Sequence, residues 1–386
     1  MARNENLHAA NKAKNDEFYT QFPDIANELK HYREHFRGKI VFCNCDDPYE
    51  SNFFKYFALN FNQLGLKKLI ATCYDGSPIA NTQLQLFDDS SDAACHVPTE
   101  KNRTAYKIVI TEVTDANSDG AIDLSDVEWL IRNNHNILTK LKGNGDFRST
   151  ECIELLKEAD IVVTNPPFSL FREYVAQLVQ YQKKFIILGN MNAVTNKDFF
   201  PLIRNNNVWI GYGFNLSMVF KTTYPNKLEA NRKYVRSKGY DPDQNYVKTP
   251  AIAWYTNLDI NKRHENLILY KHYTPEEFPK YDNYEAINVD KVSDIPMDYN
   301  GVMGVPLTFL DKYNPSQFEI LWQACGNTRV CAPTEILRIL NYSAMKEDRG
   351  GCALLNGQRV YTRILIRRRQ KAYLDVEGPI SMAAEK

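Results

Sequence analysis

The sequence has no apolar run approaching the ~18–20 residues of a membrane span. Its opening, MARNENLHAANKAKNDEF, has no apolar stretch of the kind a signal peptide carries. It lacks CxxC pairs. The eight cysteines (Cys43, Cys45, Cys73, Cys95, Cys152, Cys325, Cys331 and Cys352) are scattered, which argues against a structural zinc site. Without a secretion signal they read as free thiols of a cytoplasmic protein. No GxSxG, HExxH or phosphate-cradling GKS/T string occurs, and the histidines are isolated, which argues against hydrolase, zinc-protease and P-loop readings. Excess charge of either sign is also missing, with 47 Lys+Arg against 47 Asp+Glu. Taken alone, a zero sum speaks against a nucleic-acid partner, because phosphates attract a positive field.

What is present outweighs that sum. The chain has 386 residues, 44% of them hydrophobic and 12% aromatic, enough to bury a sizeable core. That composition excludes disorder, and the length exceeds a single domain of ~100–200 residues. Charge is segregated along it. Residues 86–126 hold nine acidic and three basic side chains; residues 221–271 hold ten basic and five acidic ones; residues 359–371 hold six basic and none acidic. Each stretch alone reads as well as a solvated loop. Two basic stretches interleaved with tyrosines point to a phosphate-facing surface in the C-terminal part.

The order of elements is α/β. Ile25, Leu29, Tyr32 and Phe36 predict a helix over Asp24–Phe36 capped by Asp24. A strand over Lys39–Cys45 follows, then a helix from the cap Ser51 to the stop Gly65, then a strand ending at Asp75. Strand–turn–helix–strand is the unit of a parallel sheet. An insertion over about residues 76–144 interrupts it, too long for an ordinary connection. The pattern resumes with a helix near Thr150–Ala159, a strand Asp160–Thr164, a helix Phe171–Gln182 and a strand Lys184–Leu188. Runs such as IVV and FIIL suit the interior of a parallel sheet. The alternation fades after Gly211, so residues 1–210 are expected to form one domain and residues 211–386 a second.

The string that carries chemistry is ADIVVTNPPF, Ala159–Phe168. The exocyclic amine of adenine is a poor nucleophile because its lone pair is delocalised into the ring. Two acceptors for its N–H groups favour a more pyramidal nitrogen with a localised pair. The Asn165 side-chain oxygen and the Pro166 carbonyl can be those acceptors, and Pro166 with Pro167 stiffens the turn by fixing φ. Phe168 offers a flat face on which a base can stack. As four letters alone, NPPF could equally be a turn that ends a strand; its position after IVVT is what gives it weight.

With NPPF, the strings KNDEFYTQ (Lys14–Gln21), FCNCDDPYESNFFKYF (Phe42–Phe57), GDFRS (Gly145–Ser149) and TNPPFSLFREY (Thr164–Tyr174) resemble the motifs of S-adenosylmethionine-dependent DNA adenine-N6 methyltransferases of the EcoRI type. The resemblance spans roughly residues 14–190, with the cofactor motifs first and the target-recognition region last. It implies a Rossmann-like methyltransferase sheet with an inserted segment and a C-terminal target-recognition module. It also implies S-adenosylmethionine as cofactor, Phe18, Tyr19 and Thr20 lining its methionine end, and the turn Asn44, Asp46, Asp47 and Pro48 beneath it. NCDDPYES replaces the glycine-rich form of that turn, so the backbone approaches the cofactor less closely, and Asp46 or Asp47 serves as well as an N-cap for the next helix. Asp75 would accept from the ribose hydroxyls, or be an ordinary turn aspartate. Asp146 would accept from the cofactor's adenine amine and Phe147 pack on its ring. Duplex DNA is the implied partner, with a cognate restriction endonuclease possible, and the enzyme is expected to be a monomer.

DANSDGAIDLSD, Asp115–Asp126, fits a calcium-loop template through Asp115, Asn117, Asp119, Gly120, Ile122, Asp123 and Asp126. The preceding YKIVITEV reads as a strand rather than an entering helix, and the twelfth position is Asp rather than Glu. An Asx-rich turn capping a helix is the other reading. The methyl-transfer chemistry itself calls for no metal, since a sulfonium methyl is already electrophilic. Methylation of RNA adenine or of a glutamine amide, and a non-catalytic DNA-binding role on the same fold, remain the alternatives; the large basic C-terminal region favours DNA.

Overall fold

The computed structural model describes residues 19–45, 51–73, 105–116, 118–120, 122–133, 138–222 and 229–369. The chain divides into two compact units, Met1–Lys262 and Arg263–Lys386.

The first unit is built on a ten-stranded sheet. Its strands are β1 (Tyr19–Thr20), β2 (Ile40–Cys43), β3 (Lys68–Thr72), β4 (Tyr106–Ile110), β5 (Leu138–Lys140), β6 (Ile161–Thr164), β7 (Lys184–Asn190), β8 (Trp209–Ile210), β9 (Leu216–Lys221) and β10 (Tyr246–Thr256). Their order is β1-β9-β10-β7-β6-β2-β3-β4-β5, with β8 beside β10. The four central strands β7, β6, β2 and β3 are parallel to one another, and the flanking pairs are antiparallel. IVFC of β2 and IVVT of β6 are buried at every position, as expected where helices cover both faces of a sheet. Each aliphatic or aromatic side chain so buried contributes roughly 1.5–3 kcal/mol.

Helices α1 (Phe22–Leu29), α2 (Asn52–Leu59), α3 (Leu124–Asn133), α4 (Thr150–Glu158), α5 (Phe171–Gln180) and α6 (Glu229–Ser237) belong to this unit. The helix expected over Asp24–Phe36 starts earlier, because Pro23 suits its first turn and Gln21, not Asp24, holds the cap position. It then tightens into a 3₁₀ turn at Lys30–Tyr32 before a last helical turn, Arg33–Phe36. Ser51 caps α2 as expected, its Oγ accepting from the amides of Phe53 and Phe54. Gly65 ends the following turn with φ of 63°.

The boundary expected at Gly211 moves. Strands β9 and β10 pair with each other and, through β7, with the parallel strands, so the sheet runs past that glycine and the division falls after Lys262. The alternation fades there because these added strands are antiparallel and need no crossover helix. Pro250 lies where the register of β10 slips between Thr249 and Ile252, and Ala251 has φ of 58°; a proline without a donor forces the bulge.

The second unit contains a four-stranded sheet of β11 (Ala286–Asn288), β12 (Val302–Pro306), β13 (Phe318–Ala324) and β16 (Arg363–Arg368), in the order β11-β12-β16-β13. Between β13 and β16 in sequence lie β14 (Leu354–Leu355) and β15 (Gln358–Arg359), a hairpin turning on Asn356–Gly357 with both φ positive. Part of the basic run of residues 359–371 is spent internally: Arg363 pairs with Asp290 at 3.2 Å and Arg367 with Glu319 at 2.9 Å.

Candidate active site

The order of the parallel strands has a reversal. From β2 the chain moves to β3 on one side, then returns to place β6 on the other. The crevice beyond the carboxyl ends of β2 and β6 is where ligands bind in open α/β sheets. Asn44 follows β2 and Asn165 follows β6, so both stand at this crevice. Asn44 is 2% exposed. Its carbonyl accepts from the Thr164 hydroxyl and its side-chain oxygen from the Tyr174 hydroxyl.

In the NPPF turn Asn165 is 7% exposed and Pro166 is buried, while Pro167 and Phe168 are half-buried. The amide of Leu170 donates to the Pro167 carbonyl at 2.9 Å, closing the turn before α5. The Phe168 ring stands edge-on to Phe220 of β9, with centroids 6.3 Å apart at 88°. A face-to-edge contact of this kind fixes the ring plane.

The GDF loop is pressed against the end of β3. Gly145 has φ of +74°, and a Cβ there would lie 2.1 Å from the Cys73 carbonyl oxygen, so only glycine fits. Asp146 is held by Arg148 through both carboxylate oxygens, at 2.9 and 2.7 Å, and accepts the Arg148 amide at 2.8 Å. The Arg148 side-chain bonds hold the Asp146 carboxyl below its usual range. Arg148 also reaches Glu173 at 3.1 Å. Phe147 is 4% exposed and meets Tyr174 edge-on at 5.1 Å, and Gln177 donates to its carbonyl at 3.1 Å.

Tyr19 and Thr20 form β1, which pairs with β9 so that Thr20 faces Phe220 in register. Asn52 of α2 donates to the Thr20 carbonyl at 2.7 Å. The Thr20 hydroxyl is buried with no hydrogen-bond partner among the described residues, a donor and acceptor left for a bound group. Of the residues singled out in sequence, Asn44 and Phe147 meet at Tyr174, Thr20 and Phe168 meet at Phe220, Tyr19 lies beside Thr20 in β1, Asp146 precedes Phe147 in its loop, and Asn165, Pro166 and Pro167 follow β6 next to the end of β2. Phe18, Asp46, Asp47, Pro48 and Asp75 lie outside the described residues, as does Asn117.

Sequence reasoning missed Tyr174, Arg148, Gln177 and Phe220. Tyr174 and Arg148 lie inside quoted motifs and Gln177 three residues beyond one; Phe220 gave no signal, because its role comes from a strand distant in sequence. It also missed Glu28. This carboxylate is 3% exposed and accepts from Tyr32 Oη at 2.8 Å and from the amides of Tyr212 and Gly213 at 2.8 and 2.9 Å. It thereby fixes the loop that leads into β9. Burial pushes its pKa up against those bonds and the charge of Lys262.

In the Asp115–Asp126 loop the described carboxylates serve the backbone. Asp115 accepts from Asp119 and Gly120, Asp123 from Ser125, and the buried Asp126 from Ala116 and Asp123, at 2.7–3.2 Å. Among the described residues no group of three or more His, Cys, Asp or Glu is arranged to hold a metal ion. No described helix is long and apolar enough to cross a membrane.

A mixed α/β sheet with an Asn-Pro-Pro-Phe turn at its switch point defines a methyltransferase of the amino-group class. A family profile described as adenine-specific methyltransferase EcoRI matches residues 6–369, so the chain belongs to that family and is a site-specific DNA adenine methyltransferase. It is similar to the Type II methyltransferase M.EcoRI of Escherichia coli, 48% identical over 323 residues, which cover 83% of this chain and 89% of that protein. The Type II methyltransferases M.MgeORF184P of Mycoplasma genitalium and M.MpnI of Mycoplasma pneumoniae are each 37% identical, over 94% of this chain and 99% and 98% of theirs. No solved structure matches.

Proposed function

We propose that the enzyme uses S-adenosylmethionine to methylate N6 of an adenine flipped out of duplex DNA, with the base held at the NPPF turn. The observation that carries this reading is the placement of buried Asn165 and half-buried Phe168 beside Asn44 at the switch point. When bound, S-adenosylmethionine supplies a methyl group on a sulfonium, which needs no metal or covalent nucleophile to activate it. The orphaned Thr20 hydroxyl fits such a ligand. Tyr19, Thr20, Asn44, Asp146 and Phe147 would hold it, together with Phe18, Asp46, Asp47, Pro48 and Asp75, whose roles rest on the resemblance alone.

The base is handled by the chain's own groups. Asn165 Oδ1 and the Pro166 carbonyl accept from the amine and localise its lone pair. Phe168 stacks on the ring, and Phe220 keeps that face oriented. Flipping costs a few kcal/mol; stacking at ~1–3 kcal/mol per base offsets part of it. Holding the base amine in line with the sulfonium methyl is where most of the rate would arise in a transfer that needs no other catalyst.

The C-terminal unit, with the basic residues that precede it, would recognise the target. Basic segments at residues 221–271 and 359–371 support this, since they are the parts of a neutral chain able to meet phosphates. A monomer acting in the cytoplasm, alongside a partner endonuclease, completes the proposal. The Asp115–Asp126 loop would serve as the cap of α3 rather than as a calcium site. Expression in a methylation-free host followed by mapping of modified adenines tests the reading: modification confined to one short sequence supports it. Tritiated-methyl uptake by RNA or protein in place of DNA would overturn it.

A further inference from the structure

In the C-terminal unit a fully buried carboxylate, Asp348, collects five donors. Tyr342 Oη lies at 2.6 Å, Arg329 Nη2 at 2.5 Å, and the amides of Gly350, Met345 and Gly351 at 2.8, 3.1 and 3.2 Å. Arg329 also reaches Tyr342 Oη at 3.0 Å, and its own amide donates to the Gly350 carbonyl at 2.8 Å. Burial alone would raise the Asp348 carboxyl, but the Tyr342, Met345 and Gly350 bonds and the Arg329 charge bring it down to about 2. Two glycines let the turns touch. A Cβ on Gly350 would sit 2.4 Å from the Gly326 carbonyl, and one on Gly351 2.6 Å from Thr328 Cβ. Thr328 Oγ1 donates to the Gln323 carbonyl at 2.6 Å and closes the first turn. The turns Gly326–Cys331 and Met345–Gly351 are thus locked into one rigid piece.

That piece presents a specific set of side chains. Val330 is 87% exposed at the tip of the first turn. Lys346 and Arg349 are exposed on the second, and Arg359 of β15 packs beside it. Arg349 holds a left-handed backbone with φ of 48°. No described acidic residue forms an ion pair with Lys346, Arg349 or Arg359. The local acidic residues are Asp282, Glu335, Glu347 and Asp348; Asp348 is consumed inside, and Asp282 accepts from the Gly357 amide of the hairpin at 2.7 Å. A lone exposed valine is ordinary, but one held next to the turn that carries Arg349, through the Arg329 amide bond to the Gly350 carbonyl, has the layout of a groove reader: cations position on phosphates while an apolar group meets base edges. Rigidity before binding lowers the ordering cost.

We infer that the Asp348-locked turns form a duplex-DNA contact surface in which Arg349, Arg359 and Lys346 meet phosphates and Val330 meets the base edges of a groove. This rests on the reading that duplex DNA is the substrate. The test uses the full chain and a duplex carrying the mapped methylation site, long enough to span an interface that buries roughly 1,000–2,500 Å² of protein surface. Arg349→Asn keeps a residue that tolerates positive φ. Combined with Arg359→Gln it should weaken binding to any duplex and lower the slope of log K against log salt by about two, while Arg359→Gln alone lowers it by about one. Val330→Asp should weaken binding to the mapped site about tenfold or more, with S-adenosylmethionine binding and melting temperature unchanged. Variants that bind like the parent, with the parent's salt slope, would refute the surface while leaving parental methylation intact. A parent that does not methylate DNA at all would overturn the underlying reading as well.

Discussion

Tyr174 donates its hydroxyl hydrogen to the side-chain oxygen of Asn44, joining the helix after the NPPF turn to the end of β2 at the switch-point crevice. The Tyr174 ring also packs edge-on against Phe147. One buried side chain of TNPPFSLFREY therefore touches both the turn after β2 and the GDF loop. Any displacement of α5 is felt at both Asn44 and Phe147.

Tyr174→Phe keeps the ring contact and removes the hydroxyl bond, leaving the buried Asn44 oxygen to the weak Cys45 thiol donor. Stability should fall by about 1–3 kcal/mol, and S-adenosylmethionine should bind several-fold more weakly. Equilibrium unfolding and a cofactor titration check both. Unchanged cofactor affinity would show that Asn44 is not part of that site.

Gly145→Ala combines a left-handed backbone with a Cβ that has no room beside the Cys73 carbonyl. The conformation alone costs roughly 1–2 kcal/mol, and the contact must push the GDF loop off β3. Cofactor affinity is expected to fall more than stability does, because Asp146 and Phe147 move with the loop. A variant that binds cofactor like the parent would separate this loop from the site.

How much of this was legible in sequence depends on the range of the interactions involved. Ser51 and Gly65 mark their helix ends by local chemistry alone, and the IVVT strand leading into NPPF is a local pattern too. The Gly211 boundary failed because β9 and β10 are antiparallel additions whose partners lie far away in the chain. Phe220 belongs to the site only through that pairing. Glu28 looked like one more polar position on a helix, since nothing nearby in sequence announces the amides of Tyr212 and Gly213. Arg148 was hidden differently: it sits inside GDFRS, but that its guanidinium holds Asp146 by both oxygens is a matter of side-chain geometry.

Glu28 gives a pH signature. Burial raises its folded pKa above the unfolded value, so its contribution is fully present below the ordinary carboxylate pKa and is lost as pH rises through the folded one. Glu28→Gln removes the titration and leaves one backbone amide unmatched, costing about 1–3 kcal/mol. The parent's advantage over the variant should widen as pH falls from neutral toward the carboxylate range. Denaturant unfolding at a series of pH values reads this, and an advantage that narrows on acidification would contradict it.

Asn165 is proposed to act on the adenine amine and not on the cofactor. The direct measurement pairs a cofactor titration with single-turnover methyl transfer for Asn165→Ala, using DNA that carries the mapped site. Loss of one positioned polar group at a reacting centre costs about 10²–10³ in rate. The predicted result is parental S-adenosylmethionine affinity with transfer reduced by about that factor; transfer at the parental rate would contradict the account.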